Sequence, residues 1–234
     1  MTETAPNHVE WKPTLMGELL LFGLLSRVTR SNPEREWFQA LITEEVFSES
    51  PLERDHADID TGLHLLQKWS RENKNGISDE QLIALKADYT RLFVGIGKPV
   101  SPPWESVYFN EDRMIFQDQT LQVREWYRRF GLESEKLYKE PDDHIGLELS
   151  FLAHLAKQGL LALDEKDMPE LERILQAQRQ FLSEHPLKWI SRWYELIKKH
   201  ATTDFYRGIA HLTHGSLLTI AEELQIEMPK EVRL

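Results

Sequence analysis

The segment Glu140-Pro141-Asp142-Asp143-His144 places three acids and a histidine across a proline-marked helix start. Carboxylates there interact favourably with the unpaired N–H groups of a first helical turn. Two chemistries suit the segment. Either the acids cap the helix while His144 bonds to a neighbouring carboxylate or loop carbonyl, or they form an anionic patch for a cationic group, with His144 as a donor adjustable near neutral pH. A metal reading draws on a wider set: Glu140, His144 and Glu148 recur every four residues, and His211 and His214 can share another helix face. Carboxylate–histidine bundles take ligands from several helices, whereas the spacing here offers one row and one isolated pair.

Phosphate and nucleophile chemistry have less to stand on. Gly97-Lys98 is like the end of a phosphate loop, but Leu92 occupies the earlier glycine position and Pro99 replaces the hydroxyl residue. No Gly-x-Ser-x-Gly elbow occurs, and the absence of cysteine excludes thiolate metal ligands and thiol nucleophiles. A binding surface is the other option. Leu92, Phe93, Trp104, Tyr108 and Trp126 either pack in the core or wall a groove, in which case Pro99, Pro102 and Pro103 hold Trp104 rigid and present apolar area at low entropic cost.

The elements that must position these residues are helices. Thr14 precedes an apolar segment running to about Val28, and Asn32-Pro33 marks the next start. Ser78-Asp79-Glu80-Gln81 has capping-box spacing and is followed by Leu82, Leu85, Tyr89, Leu92 and Phe93 at helical intervals. Asp167-Met168-Pro169-Glu170 repeats that logic. Further helices are expected over 118–130, stopped by Gly131, over 142–158, stopped by Gly159, and from Pro186 and Thr203. Alternation appears only around 106–114, too short for a sheet. The reading is an all-α, compact, bundle-like fold of about ten helices, a single domain over 1–234 with a hinge near 139–144.

The 234 residues carry 28 Lys plus Arg against 39 Asp plus Glu, a net charge of −11. That balance disfavours nucleic acid and anionic lipid and favours cationic partners. The acidic stretch 44–60 reads as a solvated loop and helix start. The longest apolar run, 19–25, is far short of the roughly 20 residues of a membrane span, so no stable membrane insertion is expected. The opening residues lack the basic start of an export signal, and the expected location is the cytoplasm.

Three motifs then carry a resemblance: Tyr89-Thr90-Arg91-Leu92-Phe93-Val94-Gly95, Ser101-Pro102-Pro103-Trp104-Glu105-Ser106-Val107-Tyr108, and Glu140-Pro141-Asp142-Asp143-His144. In this order and spacing the chain resembles the TorD/DmsD family of cytoplasmic molybdoenzyme chaperones. His185-Pro186-Leu187-Lys188-Trp189 and Phe205-Tyr206-Arg207 extend the similarity towards the C-terminus. The resemblance implies a non-enzymatic helical protein. It would bind the twin-arginine (Tat) signal peptide of a dimethyl sulfoxide or trimethylamine N-oxide reductase-class precursor and delay export until the molybdenum cofactor is inserted. That cofactor belongs to the client; the resemblance implies that the chain itself needs none, and it leaves room for weak guanine nucleotide binding. The implied peptide surface uses Tyr89, Leu92, Phe93, Pro102, Pro103, Trp104 and Tyr108 on one side. Glu140, Pro141, Asp142, Asp143 and His144 form the other. The two aspartates would attract guanidinium groups while Leu92, Phe93 and Trp104 take the apolar segment. Ser-Pro-Pro-Trp resembles the dimethyl sulfoxide reductase branch, whereas 185–189 looks more like the trimethylamine N-oxide branch. Monomer and domain-swapped dimer both fit a hinge at Glu140-Pro141. The competing reading is a metal- or nucleotide-dependent hydrolase on a helical bundle.

Overall fold

A computed structural model describes residues 10–52, 55–95, 97–133 and 140–227. Lys139, Glu53, Arg54 and residues 1–9, which entered the hinge, acidic-stretch and export-signal readings, lie outside the described residues. Nine α-helices stand among them, and no strand: α1 (Trp11–Arg30), α2 (Arg35–Thr43), α3 (Ala57–Glu72), α4 (Asp79–Tyr89), α5 (Asp118–Arg129), α6 (Ile145–Glu165), α7 (Met168–Glu184), α8 (Pro186–His200) and α9 (Asp204–Glu223). A π-helical turn, Thr90–Val94, follows α4, and a 3-10 turn, Glu105–Tyr108, lies in the proline loop.

The caps explain most boundaries. Ser78 and Gln81 exchange both bonds of a capping box at the start of α4, Asp167 accepts from the Glu170 N–H at α7, and Thr203 accepts from the Tyr206 N–H at α9. Helix α6 departs from expectation at both ends. It begins at Ile145 rather than at Asp142, because His144 is its N-cap, with Nδ1 accepting from the Gly146 N–H. It also runs through Gly159 to Glu165. A Cβ on Gly159 would lie 2.8 Å from a Leu15 methyl, so this glycine admits α1 to the groove instead of ending the helix.

Two antiparallel pairs organise the interior. Helix α1 lies along α6, tied by Lys12 to Asp164 at one end and by the Ser26 hydroxyl donating to the Gly146 carbonyl at the other. Helix α3 lies along α9, tied by Lys68 to Asp204 and by Asp58 to His211 and His214. The second pair is unusually close. A Cβ on Gly62 would sit 2.8 Å from both the Gly208 carbonyl oxygen and the Leu212 nitrogen. Helix α8 joins α9, and Trp189, Trp193, Phe181, Phe205 and Tyr206 fill the centre. The elements bearing the three motifs converge at one side of this core.

Candidate functional site

The first motif is a wide turn with an anchor beneath it. Asp88, buried at the end of α4, accepts from the N–H groups of Thr202 and Thr203 and from the Thr203 hydroxyl. Arg91 donates to Asp88 (2.9 Å) and to the His200 carbonyl, which fixes the turn against the α8–α9 connection. The chain then widens to a π-turn, closed by the Gly95 N–H on the Thr90 carbonyl. Gly95 has φ +74°, and a Cβ there would lie 2.5 Å from the Pro99 nitrogen, so only glycine fits. Leu92 and Phe93 point inward; the Phe93 ring stacks on Trp193 and meets Tyr206 edge-on. Only Val94, 53% exposed, reaches solvent as a large apolar residue of this turn. Tyr89 is buried, and burial together with the nearby Glu140 charge raises its pKa, against the opposing effect of Arg30.

The second and third motifs build each other. The N–H groups of Val100 and Ser101 donate to the carbonyls of Arg91 and Leu92, which sets the proline loop beside the turn. Pro102 and Pro103 are buried, and the Tyr108 hydroxyl donates to the Pro102 carbonyl at 2.8 Å. Trp104 and His144 then form an isolated antiparallel bridge. It is flanked by Glu105 N–H to the Asp143 carbonyl (2.9 Å) and Ile145 N–H to the Pro103 carbonyl (2.7 Å). The half-buried Trp104 ring meets the His144 ring edge-on, with centroids 5.9 Å apart.

Beneath this bridge lies a network of acids. Asp143 accepts from the Ser106 N–H with one oxygen and from the Thr120 hydroxyl with the other, both at 2.7 Å. Asp142 accepts from Arg124 Nε at 2.7 Å, and its carbonyl receives the Tyr127 hydroxyl. Glu105 meets His185 Nδ1 at 2.8 Å, while Glu148 receives the Trp189 indole N–H and hydrogen-bonds Glu105. Burial, reinforced by the charges of Glu105 and Asp143, pushes the Glu148 carboxyl well above the usual range. Burial also raises Glu105, against the opposing pull of His185.

The expectation that Asp142 and Asp143 present open carboxylates to a cationic partner is therefore corrected. Both are fully buried and turned into the protein, and their task is to hold the bridge. Leu92, Phe93 and Tyr108 likewise support the surface from within, and Pro141 is buried beside the aspartates. Of the residues expected to form the peptide surface, Trp104 and Glu140, each at partial exposure, reach solvent. The metal row comes apart, since His144 caps α6 with Nδ1 and Glu148 faces Trp189. Among the described residues no group of three or more such side chains is arranged to hold a metal. His211 and His214 instead share Asp58, which also accepts from Tyr194.

Against Trp104 opens a cavity of about 520 Å³, lined also by Val94, Pro99, Pro102, Val107, Met114 and Ile115, with Lys98, Asp112 and Arg113 at its charged positions. The reading of the sequence notes this loop, 110–117, only as part of an alternation over 106–114 too short for a sheet, and gives it no role in binding. Its three successive apolar residues, Met114, Ile115 and Phe116, are 49%, 38% and 44% exposed. A run of this kind between Arg113 and Gln117, outside any helical pattern, was the available signal.

The nitrate reductase delta subunit family matches residues 53–195, and the chain belongs to this family, that of the TorD chaperones. The TorD chaperone of Vibrio cholerae O395 is 31% identical over 188 residues, 75% of this chain and 83% of that protein. TorD of Aliivibrio salmonicida is 25% identical over 186 residues, 75% and 85% of the two chains. The Tat proofreading chaperone DmsD of Salmonella typhi is 32% identical over 151 residues, 64% and 66%. These relatives are named as chaperones and not as enzymes, and the hydrolase alternative finds no support in them. Among the described residues no helix is long and apolar enough to cross a membrane.

Proposed function

We propose that the chain is a cytoplasmic chaperone for the twin-arginine leader of a molybdoenzyme precursor, retaining the precursor until its molybdenum cofactor is inserted. The observation that carries this reading is Trp104, half-exposed over an apolar cavity and locked to His144 by a backbone bridge. A twin-arginine leader joins a basic segment to an apolar, helix-forming one, and it needs an apolar receptor within a negative field. The cavity supplies the first and a net charge of −11 the second. Names of relatives that specify Tat proofreading support the same reading. Charge accelerates encounter, and apolar burial sets the lifetime of the complex. Burying about 400 Å² of apolar leader contributes about 10 kcal/mol at ~25 cal/mol per Å², much of it offset by ordering the peptide, which leaves micromolar or somewhat tighter binding.

The role assigned to the motif residues follows from their placement. Trp104 and Glu140 face the leader; Asp142, Asp143, Leu92, Phe93, Pro102, Pro103 and Tyr108 shape the surface from below, and His144 links the two layers. The chain holds no cofactor of its own in this reading, and the molybdenum cofactor stays with the client. Calorimetric titration of a synthetic leader tests it. Wild type binds in the micromolar range, Trp104→Ala binds at least tenfold more weakly, and a leader with both arginines replaced by glutamine loses affinity. Equal binding of all three combinations rejects the reading.

A further inference from the structure

The apolar loop 110–117 is a built feature. Asn110 clamps it from inside: Oδ1 accepts from the Met114 N–H at 2.7 Å, and Nδ2 donates to the carbonyls of Met114 and Ser106. Gln117 donates to the Ile115 carbonyl at 2.9 Å. Arg113 and Phe116 have φ of 53° and 60°, a left-handed conformation that a bulky aromatic rarely adopts. The chain is thus held in a shape that turns three successive apolar side chains outward. Met114 and Ile115 line the cavity together with Trp104, and Val94 lines it from the π-turn. Exposed apolar groups converging on one cavity are the mark of a surface that another molecule covers.

We infer that this lip grips the apolar helix of the leader and fixes its direction: the arginines lie towards Glu140, and the C-terminal end of the apolar helix lies over the lip. The inference rests on the leader-binding reading above. Charge decides the direction. The cavity lining carries Lys98, and Arg113 from the lip itself, against Asp112. Two cations there repel a pair of arginines, but they complement the partial negative charge at the C-terminal end of a bound helix. Glu140 is absent from that lining; it stands four residues before His144, the bridge partner of Trp104, and its negative charge is felt at Tyr89.

The test uses the full chain and a synthetic leader containing the arginine pair and the apolar segment. Met114→Ser combined with Ile115→Ser weakens binding about tenfold or more, the loss of two apolar contacts, while the unfolding midpoint stays near wild type because both side chains are exposed. Lys98→Glu combined with Arg113→Glu weakens binding by about twofold to fivefold, in line with a lost helix-end interaction. Tighter binding by that charge-reversed variant places the arginines at the lip and overturns the direction. Unchanged affinity in the Met114/Ile115 variant, with Trp104→Ala still impaired, overturns the lip and leaves the leader reading standing. Failure of wild type to bind the leader at all overturns both.

Discussion

Asp143 is the sharpest place to separate a supporting role from a contacting one. Its carboxylate accepts two charge-assisted hydrogen bonds, from the Ser106 N–H and the Thr120 hydroxyl, and all three residues are buried. Such bonds contribute about 1.5–3 kcal/mol each, and their loss leaves two donors unpaired in the interior. Asp143→Ala also relieves repulsion on Glu148 and Glu105, which offsets part of the damage. A net loss of about 3–4 kcal/mol follows, or roughly 10 °C in the unfolding midpoint of a chain this size. Asp143→Asn keeps an acceptor for the Ser106 N–H and presents a donor that the Thr120 hydroxyl can accept, so it recovers at least half of that loss. Urea unfolding of the two variants, paired with leader titration at low temperature where both are folded, gives the answer. The alanine variant loses stability and, through a displaced Trp104, affinity; the asparagine variant binds within about threefold of wild type. If Asp143→Asn unfolds like wild type yet binds the leader a hundredfold more weakly, the carboxylate itself meets the client's arginines and the supporting role is refuted.

Three further outcomes are expected. Glu18, fully buried, is raised by burial to about 8 despite the hydrogen bond from Gln178. The folded state therefore holds a proton that the unfolded state releases, and stability falls as pH rises from about 4.5 to about 8; Glu18→Gln removes that slope, which urea midpoints across the range will report. Burial holds His214 below 6.5, against the bond to Asp58. The Asp58 carboxyl lies below 3.8 because bonds from His214, His211 and Tyr194 outweigh its own burial. Both groups lose native stability on acidification, His214 as pH falls below 6.5 and Asp58 below 3.8, and His214→Gln flattens the first part of an acid-unfolding curve. Gly95→Ala forces a left-handed residue and a clash with Pro99, and it lowers stability by about 2 kcal/mol or more in the same urea assay.

Helix content was legible wherever a local rule was enough. Ser78, Asp167, Thr203 and Pro186 start helices as their types require, and Gly131, at φ +70°, follows the end of α5. Rules failed where a distant residue decided. Gly159 has the look of a stop signal until Leu15, some 140 residues away, is seen to need the space, and Asp142 is a plausible first-turn acid until Arg124 claims it. The same distinction governs the site. Composition located the acids and aromatics, but whether a carboxylate faces solvent or a buried threonine is a property of packing, which spacing along one chain does not encode. The lip at 114–116 went without a role because its shape comes from Asn110 and two left-handed residues, neither of which makes a periodic pattern.

The glycine-lined contact between α3 and α9 has a consequence for how the protein is made. Asp58 and His211, which close that contact, stand 153 residues apart, so α3 leaves the ribosome long before its partner exists. Until then Trp69 can meet Phe38 of α2, but the glycine-lined face has no partner, and contacts of such separation form late and slowly. A protein proposed to shelter the unfinished chains of others thus spends its own synthesis in need of shelter. Host holdases acting on this nascent helix would set how much of it a cell can accumulate.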